Sequence, residues 1–302
     1  MRFLADHSLV SFPGLGWEFD VYATFLEIPF GDGVISIRFY GVIIAFGFIL
    51  AALFGGRKAY TWKMSLDSMV DVLIYGIIGA VIGARLYYVI FQWDHYKNNL
   101  WEIFKIWEGG LAIYGGIIGG VIVAYFVCKK TGLNFVKLLD LFGMSLFIGQ
   151  GIGRWGNFTN QEAFGTNTTL PWGMTSDKVA TYINSNQAEF VKNGIEMDPN
   201  LPVHPTFLYE SLWCLLGFVI LYIVCQKFYK FDGQLILGYG IIYGIERTFV
   251  EGLRTDSLYI GNTNLRASQL LSLAIIIVCT VITIYKFIEL KKKKTTEVQE
   301  NV

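Results

Sequence analysis

Seven stretches of this chain are each apolar enough and long enough to cross a bilayer, and that repetition constrains the fold more than any single motif. They cover about 37–54, 68–92, 110–128, 134–152, 206–226, 234–251 and 267–288. A spanning helix needs about 20 predominantly apolar residues. Inside lipid every backbone polar group must find its partner within the protein, so segments of this length read as helices. No proline interrupts any of them, and Pro205 falls just ahead of the fifth, where it suits a first helical turn. The sequence therefore predicts an all-α integral membrane protein: seven transmembrane helices with a small extracytoplasmic lobe.

Composition agrees. Only 16% of the 302 residues are charged, against about 25% in soluble domains. The net charge is zero, which leaves no basic surface field for a nucleic-acid partner. Cys128, Cys214, Cys225 and Cys279 all lie in or beside apolar runs and form no CxxC pair, so they read as small hydrophobes. No metal site or cofactor is expected from this pattern.

Loop charges give the orientation. Arg57, Lys58 and Lys63 follow the first segment, Lys129, Lys130 and Lys137 flank the loop after the third, and Lys227 and Lys230 follow the fifth. Lys291 to Lys294 begin the tail. By the positive-inside rule these loops and the C-terminus are cytoplasmic, and seven spans then place the N-terminus outside. The expected organisation is an extracytoplasmic N-terminal arm over 1–36, a transmembrane domain over 37–288 with a lobe inserted at about 153–205, and a basic cytoplasmic tail over 289–302. Residues 1–36 lack the basic start and compact apolar core of a cleaved signal peptide. The loop at 153–205 is too long to be a mere connector, hence the lobe.

Charged residues at the ends of these segments are costly and therefore informative. Gly153-Arg154-Trp155-Gly156-Asn157-Phe158-Thr159-Asn160-Gln161-Glu162 crowds an arginine, two asparagines and a glutamate where the fourth segment meets water. A snorkelling anchor would explain Arg154 alone, but an anchor needs no hydrogen-bonding groups around it. In Glu246-Arg247-Thr248-Phe249-Val250-Glu251-Gly252-Leu253-Arg254, the residues Arg247, Glu251 and Arg254 share one helix face. A self-neutralising ion pair is the competing explanation for Glu251. His204 and Glu210 open the fifth segment, and a lone interfacial histidine is more often a satisfied polar cap than a base. Gly115/Gly119 and Gly116/Gly120 are small-xxx-small pairs that let helices approach, with Tyr114 just before them. Arg38-Phe39-Tyr40-Gly41, Arg85 and Asp140 are smaller polar signals within apolar spans. Three arginines near the external ends of two helices suit an anion, because the guanidinium fork binds phosphate bidentately.

These motifs resemble those of the prolipoprotein diacylglyceryl transferases. The stretch Gly153–Glu162 is similar to that family's signature Gly-Arg-x-Gly-Asn-Phe-x-Asn-x-Glu. Arg38–Gly41, Trp107–Gly116, His204–Glu210, and Arg247 with Glu251 and Arg254 match further motifs in the same order. The resemblance implies a multi-pass enzyme of the bacterial cytoplasmic (inner) membrane. Its partners would be the bilayer, phosphatidylglycerol and prolipoprotein signal peptides with a lipobox cysteine. The diacylglyceryl group would pass to that cysteine's thiol, forming a thioether and releasing glycerol 1-phosphate. By the same resemblance Arg154 and Arg247 would be catalytic and hold the lipid headgroup. Tyr40, Asn157, Asn160, Glu162, His204, Glu210, Glu251 and Arg254 would bind substrate. Tyr114 stands where many members carry histidine, and is counted with the catalytic residues. A tyrosine of pKa near 10 is a poor base at neutral pH, so it either orients substrate or titrates beside an arginine, and the base stays open. The competing class is a seven-helix transporter or receptor for an organic anion.

Overall fold

Each long apolar run becomes a helix, and the loops between them hold more structure than their sequence advertises. A computed structural model describes residues 2–31, 33–255 and 265–300; residues 301–302, the end of the predicted tail, lie outside the described residues. Among the described residues, six helices are long and apolar enough to cross a membrane: α1 Phe39–Thr61, α2 Leu66–Phe91, α4 Ile113–Thr131, α5 Phe135–Asn160, α8 with its π-helical extension Thr206–Phe228, and α10 over Ala267–Lys293. The remaining predicted span forms α9, Gln234–Leu253, a helix of 20 residues. Its glutamates and arginine keep it out of that apolar set. A short α3, Trp93–Tyr96, follows α2.

The all-α expectation is corrected by a four-stranded sheet in the order β3-β2-β1-β4. The strands are β1 Arg2–Phe12, β2 Trp17–Phe30, β3 Gly33–Arg38 and β4 Thr175–Ser176. β1 pairs antiparallel with both β2 and β4. The signal was present in the sequence: two runs rich in aromatic and β-branched residues flank Pro13-Gly14-Leu15-Gly16. Gly16 adopts φ +67, a conformation that glycine takes at no steric cost.

The chain divides into two compact units, Met1–Leu53 with Phe142–Val302, and Phe54–Leu141. In the first, the N-terminal strands pack against the chain that follows α5. Val10, Phe12 and Val21 share one buried core with Phe164, Met174, Val179, Ile183, Phe190 and Val203. That lobe also holds α6 Asp177–Ser185, capped where Ser176 Oγ accepts from Val179 N at 3.2 Å, and α7 Gln187–Lys192.

In the second unit α2 and α4 approach backbone to backbone. A Cβ at Gly83 would strike the Gly115 carbonyl, and one at Gly79 would lie 3.0 Å from the Gly119 carbonyl. The predicted small-residue pairs thus find their partner in α2. Arg85, 7% exposed, holds the chain that leads into α4. It donates to the carbonyls of Glu102, Ile103, Lys105, Gly109 and Gly110. This stretch has only two 3₁₀ turns, Leu100–Phe104 and Ile106–Glu108, whose few backbone bonds, such as those to the Glu102 and Lys105 carbonyls, Arg85 supplements.

Candidate active site

The end of α5 explains the spacing of its polar residues. Gln161 and Ala163 both adopt positive φ, 56° and 58°, and turn the chain back just past the helix. That reversal carries Glu162 to the last turn, where Asn157 Nδ2 and Asn160 Nδ2 each donate to Glu162 Oε1 at 3.2 Å. Left-handed conformations at non-glycine residues cost energy and cluster at functional sites. One turn earlier, Gly156 makes room for Tyr40, since a Cβ there would sit 2.6 Å from the ring of Tyr40. The glycine at 156 therefore has a steric cause: a side chain there would meet the Tyr40 ring against the helix.

The returning chain then stitches three elements together. Gly165 N donates to His204 O at 2.9 Å, Thr166 N to Leu253 O at 2.9 Å, and His204 N to Thr166 O at 3.0 Å. The Thr206 hydroxyl bonds the Ala163 carbonyl. Thus the end of α5, the start of α8 and the end of α9 are fixed to one strand-like segment.

That fixation gathers the arginines. Arg154 Nη2 lies 2.6 Å from Glu210 Oε2, Arg247 Nη1 3.9 Å from the same oxygen, and Arg254 Nη1 3.7 Å from Glu210 Oε1. Arg247 Nη2 also reaches Glu251 Oε2 at 2.6 Å, the predicted i,i+4 pair. Glu210 and Glu251 are buried, at 1% and 2% exposure, while the three arginine side chains keep 12–23%. Short as these contacts are, neither Glu210 oxygen is met along a hydrogen-bond direction. The charges attract, and the three arginine side chains stay partly exposed. Removing Glu210 would leave three cations together in a low-dielectric site, which is why a carboxylate stands at their centre.

The other expected residues fall in different places. His204 Nδ1 pairs with the Tyr209 hydroxyl at 3.0 Å, and that hydroxyl accepts from Trp172 Nε1 at 2.8 Å. Burial pushes the His204 pKa down, so the ring is neutral at pH 7 and suits the polar-cap reading. Tyr114 belongs to the second unit, in the first turn of α4, and is half exposed. One residue escaped the sequence reading: Glu246, only 3% exposed, interacts with Glu210, Arg154 and Arg247. Its signal was the spacing Tyr239, Tyr243, Glu246, a second polar stripe beside the arginine face.

Apolar helices enough for several crossings, with an arginine–carboxylate cluster at the ends of three helices, define a multi-pass membrane protein. A family profile described as prolipoprotein diacylglyceryl transferase matches residues 28–285. Similar proteins include the phosphatidylglycerol–prolipoprotein diacylglyceryl transferase of Finegoldia magna, 48% identical over 85% of this chain and 94% of its own length. Those of Listeria monocytogenes and Listeria innocua are each 45% identical over 85% of this chain and 88% of theirs. The chain belongs to the prolipoprotein diacylglyceryl transferase family.

Proposed function

We propose that this protein transfers the diacylglyceryl group of phosphatidylglycerol to the thiol of a prolipoprotein's lipobox cysteine. The products are a thioether and glycerol 1-phosphate. The observation that carries this reading is the convergence of Arg154, Arg247 and Arg254 on the single carboxylate of Glu210. Guanidiniums gathered this closely suit an anion such as a phosphodiester.

The chemistry rewards that charge. Breaking the bond between the glyceryl carbon and oxygen turns a phosphate with one negative charge into a monoester gaining a second. Donors aimed at it bind the transition state more strongly than the substrate. At about 4 Å and an effective dielectric of about 20, an added unit charge beside one arginine is worth about 4 kcal/mol before screening. In this reading Arg154 and Arg247 hold the phosphate, and Arg254, Glu210 and Glu251 hold the two arginines in place. Asn157, Asn160, Glu162 and Tyr40 shape the headgroup site, with His204 at its margin. Tyr114 orients the incoming peptide. The attacking thiol is a few per cent ionised at pH 7, and the positive field favours its thiolate.

We further assign α9 as a seventh span, since Arg247 meets Glu210 on α8 and Glu251 on its own helix rather than lipid. The basic loops then place the C-terminus in the cytoplasm, with the N-terminus and the lobe outside, in the bacterial inner membrane. The transporter or receptor reading receives no support from the relatives. Incubating the protein with labelled phosphatidylglycerol and a lipobox peptide tests the assignment. Glycerol phosphate release matched by lipidated peptide is expected, and binding without release would overturn it.

A further inference from the structure

Strand β1 lies ahead of residues 28–285, the span that the family profile matches, and every motif described above begins after it. It is nevertheless bonded to the turn that follows α5. Ser8 Oγ donates to Gln161 Oε1 at 3.0 Å and accepts from Gln161 Nε2 at 2.9 Å, across 153 positions of sequence. Gln161 is 4% exposed, and both polar atoms of its amide meet that one hydroxyl.

The two ends of this contact differ in how they are held. Ser8 pairs with Val21 of β2, and two residues on, Val10 pairs with Ser176 of β4 and belongs to the buried core of the lobe. Gln161 instead stands in a left-handed conformation, φ 56°, which a residue with a Cβ adopts only where its surroundings impose it. Glu162 lies between Gln161 and Ala163, which is also left-handed, so this turn sets where its carboxylate points. There Asn157 Nδ2 and Asn160 Nδ2 each donate to Glu162 Oε1 at 3.2 Å. The same strand is tied to the segment carrying Tyr40. Asp6 Oδ2 accepts from Thr24 Oγ1 at 2.8 Å and from Arg38 Nη1 at 2.9 Å, two residues before Tyr40. That ion pair is exposed and of small energetic weight. The bond to the buried Gln161 amide is the stronger tie, because an amide left unpaired out of water is costly.

We propose that β1 braces the headgroup site, with Ser8 as a positioning residue that acts through Gln161 on Glu162. This rests on the transferase reading, in which Asn157, Asn160 and Glu162 shape the place of the lipid headgroup. Without the Ser8 hydroxyl the buried amide is short of a partner and the turn is released. Glu162 is then no longer fixed against the two asparagines, and the lipid binds less well, while the arginines at the phosphate stay in place. The expected signature is a raised KM for phosphatidylglycerol with little change in kcat. A strand that served stability alone would give the reverse: fewer active molecules, a lower apparent kcat and unchanged KM values.

The test uses the full chain in vesicles where phosphatidylglycerol is diluted into phosphatidylcholine, with a lipobox peptide as acceptor. In Ser8→Ala the KM for phosphatidylglycerol is expected to rise about fivefold. Its kcat and its KM for the peptide should stay within about twofold of wild type. Gln161→Gly removes the amide and suits the left-handed backbone. It should raise the same KM, and adding Ser8→Ala to it should raise that KM no further. An unchanged KM for phosphatidylglycerol in Ser8→Ala overturns the proposal, as does an equal rise for lipid and peptide, or a fall in kcat alone. Effects that multiply in the double variant overturn it too, since the brace acts through Gln161. If Ser8→Ala does not fold, Gln161→Gly is read by the same split. A wild type that lipidates no peptide defeats the transferase reading as well; an active wild type with any of the other adverse results defeats the brace only.

Discussion

Two regions of this molecule bury arginine among apolar helices, and they use it in opposite ways. In the second unit the guanidinium of Arg85 is surrounded by five backbone carbonyls and by the ring of Tyr96, 5.2 Å away. Its donors are fully engaged, and its work is to hold an irregular segment that has few backbone bonds of its own. In the first unit Arg154, Arg247 and Arg254 share two carboxylates and keep part of their surface open. Both kinds look alike in sequence, as a cation inside a hydrophobic run. What separates them is the partner, backbone carbonyls around Arg85 and carboxylates around the other three, and only the fold decides that.

The contrast can be tested by measuring activity and stability on the same variants. Arg154→Lys and Arg247→Lys should fold and insert, yet lose about 10³-fold in transfer, since lysine lacks the planar fork. Labelled-lipid transfer beside a melting curve in detergent shows this, and near-normal rates in both variants would remove the headgroup role. Arg85→Lys should show the reverse pattern. Several carbonyls lose their donor, costing about 3 kcal/mol of stability, visible as a lowered melting temperature with the larger effect on stability than on rate per folded molecule. An Arg85→Lys protein that melts normally but is inactive would erase the distinction between the two regions.

Smaller effects sharpen it further. Gly83→Ala places a methyl against the Gly115 carbonyl, and separating α2 from α4 should cost about 2 kcal/mol. The same change at Gly76, where a Cβ meets open space, should cost far less in the same melt. The least effect is expected from His204. Because burial lowers its pKa in the folded state, the unfolded chain takes up the proton first as pH falls below about 6.5. Stability from this group is therefore full above that pH and declines below it. Melting temperatures from pH 8 to pH 5 should show a shallower acid decline in His204→Gln, and an identical slope would dismiss the histidine's contribution.

Much of the helical frame was legible because lipid forces it. An apolar run of about 20 residues has one regular way to satisfy its backbone, so six spans follow from composition alone. The sheet was missed because hydropathy has no sensitivity to short strands, although the hairpin at Pro13–Gly16 was readable from its turn residues. The pairing of Arg247 with Glu251 was visible too, since a helix places residues four apart on one face. Glu246 was passed over because its partners lie on other helices, at sequence distances where no periodicity operates.

The amino-acid order thus determined the helices and the local ion pair, both of which depend on neighbours or on the membrane as solvent. The tertiary structure decided which polar groups meet. Glu210 at the centre of three arginines, Arg85 wrapped in carbonyls and Glu246 against Glu210 each join residues from separate segments. The physical reason is reach: electrostatic and hydrogen-bonding forces act over a few ångströms, and only the folded chain brings distant residues that close.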